Sequence, residues 1–255
     1  MYALGVRYMT LTHTCDTPWA ECAPIPGFRK PAGPEGLTRF GLTVIREMNR
    51  LGMLVDLSHV SELAMRRALE QSEAPVIFSH SSAQALCNSS RNVPDHLLKK
   101  LAANGGVVMV SFYNYFLTCN GTAHMTDVVA HINHIRRVAG VDHVGIGAGY
   151  DGINSTPLGL EDVSRYPFLF AELLRDSSWS VLDLQKLAGL NLIRAFRQVE
   201  QVRDRMRRQG VEPLEELIPR QQLRGKLNCT YSLYRVRQQQ QRPSQDDEDV
   251  RSNHS

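Results

Sequence analysis

Met53-Leu54-Val55-Asp56-Leu57-Ser58-His59 and Ala74-Pro75-Val76-Ile77-Phe78-Ser79-His80 are two short β-type runs, and each stops at a histidine. Between them Leu63, Arg66, Arg67, Ala68 and Leu69 recur at helical spacing, and Ser61 stands where a helix cap belongs. Strand, helix and strand in so short a span predict a βαβ unit with parallel strands. Parallel neighbours end on the same side of a sheet, about 5 Å apart. His59 and His80 should therefore sit side by side at one rim. Neutral imidazoles held in that way suit a zinc ion, and the C-terminal rim is where β/α barrels keep their active sites. The plain alternative is two polar residues that end buried strands.

Outward from this unit the alternation continues. Tyr8 to His13 is β-rich and again ends at a histidine, and a proline-rich irregular stretch runs from Thr14 to Gly36. Leu37 to Leu51 predicts an amphipathic helix stopped by Gly52. After His80 come a polar loop with Arg91, a helix from Pro94 to Ala103, and a fully apolar strand from Val107 to Phe112. Asp127 to Val138 predicts a helix, and Val144 to Gly149 a glycine-rich strand running into Tyr150-Asp151-Gly152. Helices are then expected over Tyr166 to Arg175, Val181 to Ala188 and Asn191 to Arg208. The end of the chain, 231–255, is polar and expected to be a disordered tail. Strands ending near residues 13, 59, 80, 112 and 149 fall short of the eight that close a barrel. The pattern leaves two architectures, an open doubly wound sheet or the C-terminal part of a larger barrel.

Composition narrows the function. The chain of 255 residues is 42% hydrophobic and 22% charged, ordinary for a globular protein, and its net charge of +3 makes no case for nucleic-acid binding. No run approaches the ~18 apolar residues of a membrane span, and Met1 to Gly5 lacks the features of a signal peptide. The five cysteines show no zinc-knuckle spacing. Asn88-Ser89-Ser90, Asn120-Gly121-Thr122, Asn154-Ser155-Thr156 and Asn253-His254-Ser255 match the glycosylation pattern and lean toward an extracellular protein. His96, His124, His131, His134 and His143 fall on helices or their approaches, where a structural role is expected.

Several segments together resemble the zinc-dependent membrane (renal-type) dipeptidases. These are Thr10-Leu11-Thr12-His13-Thr14-Cys15 with Thr17-Pro18-Trp19-Ala20, Asn49 through His59, and Ala74 through Ser82. They continue with Arg91-Asn92-Val93-Pro94-Asp95, Gly159 through Ser164, and Asn191 through Phe196. The resemblance runs from about residue 2 to about residue 230 and implies an α/β fold. That fold is an amidohydrolase-like (β/α)8 (TIM-type) barrel, here incomplete with the N-terminal strands missing, with 1–230 as the C-terminal part of the barrel.

The resemblance also implies a chemistry. His59 and His80 would ligate zinc, His13 would contact a dipeptide substrate, and Arg91 would bind its C-terminal carboxylate. A zinc-activated water would attack the peptide carbonyl. Cys87 and Cys119 match a disulfide pair, and Cys229 matches a cysteine that links two subunits of a homodimer. The implied location is the extracellular face of a membrane, although no lipid-anchor signal is evident. Two departures weigh against full activity. The remaining metal ligands of the family precede the segment matching Tyr2, and Gly149 stands where a catalytic acid/base aspartate belongs, with Asp151 the nearest carboxylate along the chain. Three functions follow, a metallo-dipeptidase impaired in this chain, a non-catalytic dipeptidase-like binding protein, or an unrelated metal-free open α/β binding protein.

Overall fold

Each junction in the strand–helix alternation has a local chemical reason. The structure is a computed structural model describing residues 1–24 and 33–223. Strand β1 (Tyr8–Thr10) is followed by helix α1 (Arg39–Leu51), whose N-terminus is capped by the Thr38 hydroxyl accepting from the Gly41 N–H. Gly52 ends α1 in the left-handed region at φ 76°, which costs glycine nothing. Strand β2 (Leu54–Asp56) leads to α2 (Glu62–Gln71), and the Ser61 hydroxyl caps α2 by accepting from the Ala64 N–H. Strand β3 (Val76–Phe78), α3 (Asp95–Asn104) and β4 (Val107–Val110) follow, then a short α4 (Asn114–Leu117), α5 (Met125–Ala139) and β5 (Val144–Ile146). The C-terminal part is helical, with α6 (Tyr166–Leu173), α7 (Val181–Gln185), α8 (Asn191–Arg208) and α9 (Arg220–Leu223). The segment Lys186–Leu190 kinks at Gly189 and joins α7 to α8.

All strand pairs are parallel, in the order β1-β2-β3-β4-β5. A five-stranded parallel sheet with alternating helices matches an incomplete amidohydrolase-like (β/α)8 barrel, so the doubly wound alternative falls away. The strands are shorter than their apolar runs. Pairing ceases at Thr10, Asp56 and Phe78, and the histidines fall in the loops just beyond.

Strand parity divides the core in two. Val55, Phe78, Val108 and Val110 face outward onto Ile45, Met65, Leu98 and Ile132 from α1, α2, α3 and α5. A fully buried side chain such as Phe78 contributes on the order of 1.5–3 kcal/mol. Leu54, Ile77, Val107 and Met109 face the other way and are covered by α8, whose Ala195, Val199, Val202 and Met206 form an apolar stripe. Helix α8 plugs only the lower part of this inner face. The upper part, at the strand ends, stays open and polar.

Two expectations are corrected here. No helix among the described residues is long and apolar enough to cross a membrane. The longest of them, α8, carries Arg194, Arg197, Arg203 and Arg205, so the placement at a membrane face has no support from the fold. The homodimer expected through Cys229 is likewise not supported. The disulfide between Cys87 and Cys119, with Cα atoms 5.4 Å apart, lies within the chain. Cys229 and the 231–255 tail lie outside the described residues.

Candidate active site

The strand ends open into a cavity of about 1070 Å³, and His13, His59, His80, Arg91, Gly149 and Asp151 all line it. Parallel pairing brings together residues that are as much as 138 positions apart, from His13 to Asp151. Cys87 and Cys119 stand outside its lining and brace the loops around it.

The two histidines of the central βαβ unit meet. His59 Nε2 lies 2.8 Å from His80 Nε2, with the rings inclined at 63°. His59 reaches that position by adopting φ 71°, a left-handed conformation uncommon outside glycine though enriched in histidine. The bend is held because the His59 carbonyl accepts from Thr12 Oγ1 at 3.1 Å and from the Ala23 N–H at 2.7 Å. His13 is exposed, and its ring lies 4.3 Å from that of His59. Burial, with the Arg91 cation next in weight, pushes His59 down to about 3. The same two causes lower His80, against an opposing pull from the Asp56 carboxylate. Both rings are therefore neutral near pH 7.

Arg91 forms another wall. Its guanidinium lies over the Phe116 ring at 5.1 Å, and Nη2 points to the His80 carbonyl at 3.5 Å. Nη1 is buried and has no hydrogen-bond partner among the described residues. Burial pushes the group down to about 10, which leaves it cationic at neutral pH. A buried N–H without a partner costs about 1–3 kcal/mol, more when charged, and a guanidinium edge is shaped to take a carboxylate. The Arg91 loop is tied down by Asn92 Nδ2, which donates to the carbonyls of Cys87 at 2.9 Å and Phe116 at 2.7 Å. Buried His131 helps, its Nδ1 accepting from the Ala83 N–H at 3.0 Å and its Nε2 donating to the Leu117 carbonyl at 2.8 Å.

The far wall is backbone-lined. Gly147 must be glycine, since a Cβ there would lie 1.9 Å from the Ser79 carbonyl oxygen. Gly149 sits at φ 80° and opens the Tyr150–Gly152 turn. A Cβ at Gly149 would meet only open space and the Gly147 oxygen at 4.0 Å. Asp151 is exposed within that turn.

Sequence reading missed Thr10, Asp56 and Ser79. Asp56 is wholly buried, and its carboxylate accepts from Thr10 Oγ1, the Ser58 N–H, the Ser79 N–H and Ser79 Oγ. The available signal was a lone acid at the end of the apolar run Met53-Leu54-Val55, a place where burial demands a full set of donors.

A zinc ion needs three or four protein ligands, and the residues present do not fit one. His59 and His80 converge, but no cluster of three or more His, Cys, Asp or Glu among the described residues could hold a metal. The carboxylate nearest this pair along the strands, Asp56, has its oxygens engaged by Thr10, Ser58 and Ser79. The expectation of a metal-binding site is corrected accordingly.

Comparison with known proteins decides the lineage. Residues 1–210 match the family described as membrane dipeptidase (peptidase family M19). The chain belongs to that family. It is 51% identical over 222 residues to dipeptidase 3 of Macaca fascicularis, covering 87% of this chain and 45% of that protein. Dipeptidase 3 of Homo sapiens is 50% identical over 222 residues, with the same coverage. The chain thus spans a little under half the length of the curated relatives it matches. Among solved structures, a metallo peptidase from Rhodobacter sphaeroides liganded with a phosphinate mimic of the dipeptide L-Ala-D-Ala aligns with a TM-score of 0.71. It shows 30% identity over 78% of this chain and 57% of the other. The dipeptidase AC, a metallo peptidase of family M19, aligns with a TM-score of 0.70 and 30% identity, over 78% of this chain and 59% of the other. Membership in the membrane dipeptidase family supports a metallo-dipeptidase-like function in general and implies zinc in the related dipeptidases.

Proposed function

We propose that this chain supplies the carboxylate-binding wall of a dipeptidase site. Arg91 holds the C-terminal carboxylate of a dipeptide, and His13, His59 and His80 face the rest of the ligand. The observation that carries the reading is Arg91 Nη1, buried beside the cavity with no partner among the described residues. A carboxylate arriving there would satisfy an atom that the protein leaves unsatisfied. The dipeptide mimic held by the Rhodobacter sphaeroides relative supports the ligand class. The described residues offer two converging imidazoles and no third ligand, so a zinc-activated water would need further ligands from outside the described residues.

Hydrolysis also needs a proton donor for the leaving amine. Gly149 stands at the position of the aspartate expected from the resemblance and has no side chain to serve. We therefore read the site as binding dipeptides and turning them over slowly. The same glycine favours a second reading, a non-catalytic dipeptidase-like binding protein, and dipeptide turnover separates the two.

Calorimetric titration with a dipeptide and with its C-terminal amide tests the binding role. The free acid should bind at least tenfold more tightly, since charge-assisted hydrogen bonds contribute about 1.5–3 kcal/mol. Arg91→Ala should abolish that preference. Equal binding of acid and amide by the unaltered chain would sink the proposal.

A further inference from the structure

We propose that the Cys87–Cys119 disulfide is a positioning element for Arg91, setting where the guanidinium stands on the cavity wall. The consequence for a dipeptide rests on the proposed carboxylate role of Arg91, whereas the seating of the side chain rests on its contacts alone.

The guanidinium has little of its own to hold it. Among the described residues it makes one hydrogen bond, from Nη2 to the His80 carbonyl at 3.5 Å, at the outer limit for such a bond. Nη1 makes none. The other partner of the group is the Phe116 ring, 5.1 Å away and facing the cation. Arg91 therefore stands where Phe116 stands, although the two belong to different loops. Arg91 lies between β3 and α3, whereas Phe116 lies in α4, between β4 and α5.

Two ties set the spacing of those loops beside Arg91. One is Asn92, 1% exposed, whose Nδ2 donates to the carbonyls of Cys87 at 2.9 Å and Phe116 at 2.7 Å. A single amide nitrogen reaches both carbonyls only while the two segments keep this distance. The other tie is covalent. The disulfide joins Cys87, ahead of Arg91 in one loop, to Cys119, just past Phe116 in the other. Cys119 also holds φ 57°, a left-handed conformation that a non-glycine residue keeps when its surroundings impose it. Cutting the bond frees Cys119 to leave that region and draws the Phe116 segment after it. His131 binds the same loops further along, at the Ala83 N–H and the Leu117 carbonyl. Cleavage should therefore loosen the seat of Arg91 without parting the loops.

The bond is open to a dithiol reagent, since Cys119 is exposed while Cys87 is buried. A thiolate of the reagent attacks the Cys119 sulfur, and the electron pair of the S–S bond leaves on Cys87. The second thiol then displaces Cys119 and closes the reagent's own disulfide. Two electrons and two protons pass to the cysteines, which end as thiols.

Proton–nitrogen NMR of the Arg91 Nε–H, assigned with Arg91→Lys, reads the seat directly. In the oxidised chain the signal should carry a ring-current shift that Phe116→Leu removes. Dithiol reduction should move it toward the position of a free guanidinium, and reoxidation should bring it back. The paired substitution Cys87→Ser with Cys119→Ser should show the reduced pattern unaided and ignore the reagent. The Trp179 indole N–H, which donates to Asn133 Oδ1 at 2.9 Å outside these loops, reports whether the fold is intact. In calorimetric titration the reduced chain should bind a dipeptide free acid about two- to tenfold more weakly, the cost of immobilising one freed side chain. The C-terminal amide should bind as before. An Arg91 signal that stays in place on reduction while Trp179 is unchanged overturns the proposal. So does a Trp179 signal that moves as well, or an equal weakening of acid and amide, because the disulfide would then support the fold at large. Equal binding of acid and amide by the oxidised chain, with the Arg91 signal still answering to reduction, would refute the carboxylate role and leave the seating in force.

Discussion

Gly149 concentrates the question of activity in one residue. Its φ of 80° is a region that aspartate tolerates better than most residues, and a Cβ there meets open space. Gly149→Asp is thus a change the backbone can accept. Losing a general acid/base typically costs roughly 10²–10⁴-fold in rate. In a version carrying the rest of the barrel, Gly149→Asp should raise dipeptide turnover by about tenfold or more. Equal turnover with and without the substitution would assign the role to Asp151 or another group. His131 carries a second prediction. It is 1% exposed and its burial lowers its proton affinity. The folded state keeps it neutral while the unfolded chain protonates below about 6.5. The unfolded state then binds more protons, so stability should fall as pH drops from 7 toward 5, by at most about 1.4 kcal/mol per pH unit for this group. Thermal midpoints measured across that range should show a shallower decline in His131→Gln. His59 and His80 shift in the same direction and should leave some slope.

At the scale of elements, β1 differs from its neighbours. Strands β2, β3 and β4 are buried throughout, whereas β1 pairs on one side with β2 and exposes Tyr8 at 52%. An edge strand with few apolar contacts opens more readily. Amide exchange at Tyr8–Thr10 should therefore be faster than at Leu54–Asp56, Val76–Phe78 or Val107–Val110, and equal protection would show the edge to be covered. The helices were the most legible elements. Asn191–Arg208 forms where helical spacing places it, and Ser61 announces the start of α2. The core-facing side of α8, read as Leu190, Leu192, Ile193 and Phe196, is instead Ala195, Val199, Val202 and Met206, with Leu190 and Ile193 exposed. Strand ends were less legible. The apolar run to Phe112 outlasts β4, which stops at Val110, because pairing depends on where the neighbouring strand ends.

For the whole molecule, the described residues form a sheet whose inner face is closed below by α8 and open above into the cavity. Among the described residues no group of three or more His, Cys, Asp or Glu could hold a metal ion. A chelator should leave the thermal midpoint of residues 1–255 in place, and the dialysed chain should hold no tightly bound zinc. A midpoint that drops on chelation would mean that a metal stabilises the folded state.

The sequence by itself determined the strand–helix alternation, the rim on which His13, His59, His80 and Arg91 gather, and the family. Period-2 and period-3.6 patterns are local, and a shared motif register needs no coordinates. Only the tertiary structure decided that His59 and His80 meet at Nε2 and that Arg91 keeps a donor unpaired. It also decided that Asp56 and Ser79 stand behind His80, and that α8 fills the lower inner face. Those outcomes depend on the register between strands, on the left-handed turn at His59, and on which donors burial brings within 3 Å of each other. Such distances are set by several segments at once, and no single stretch of sequence contains them.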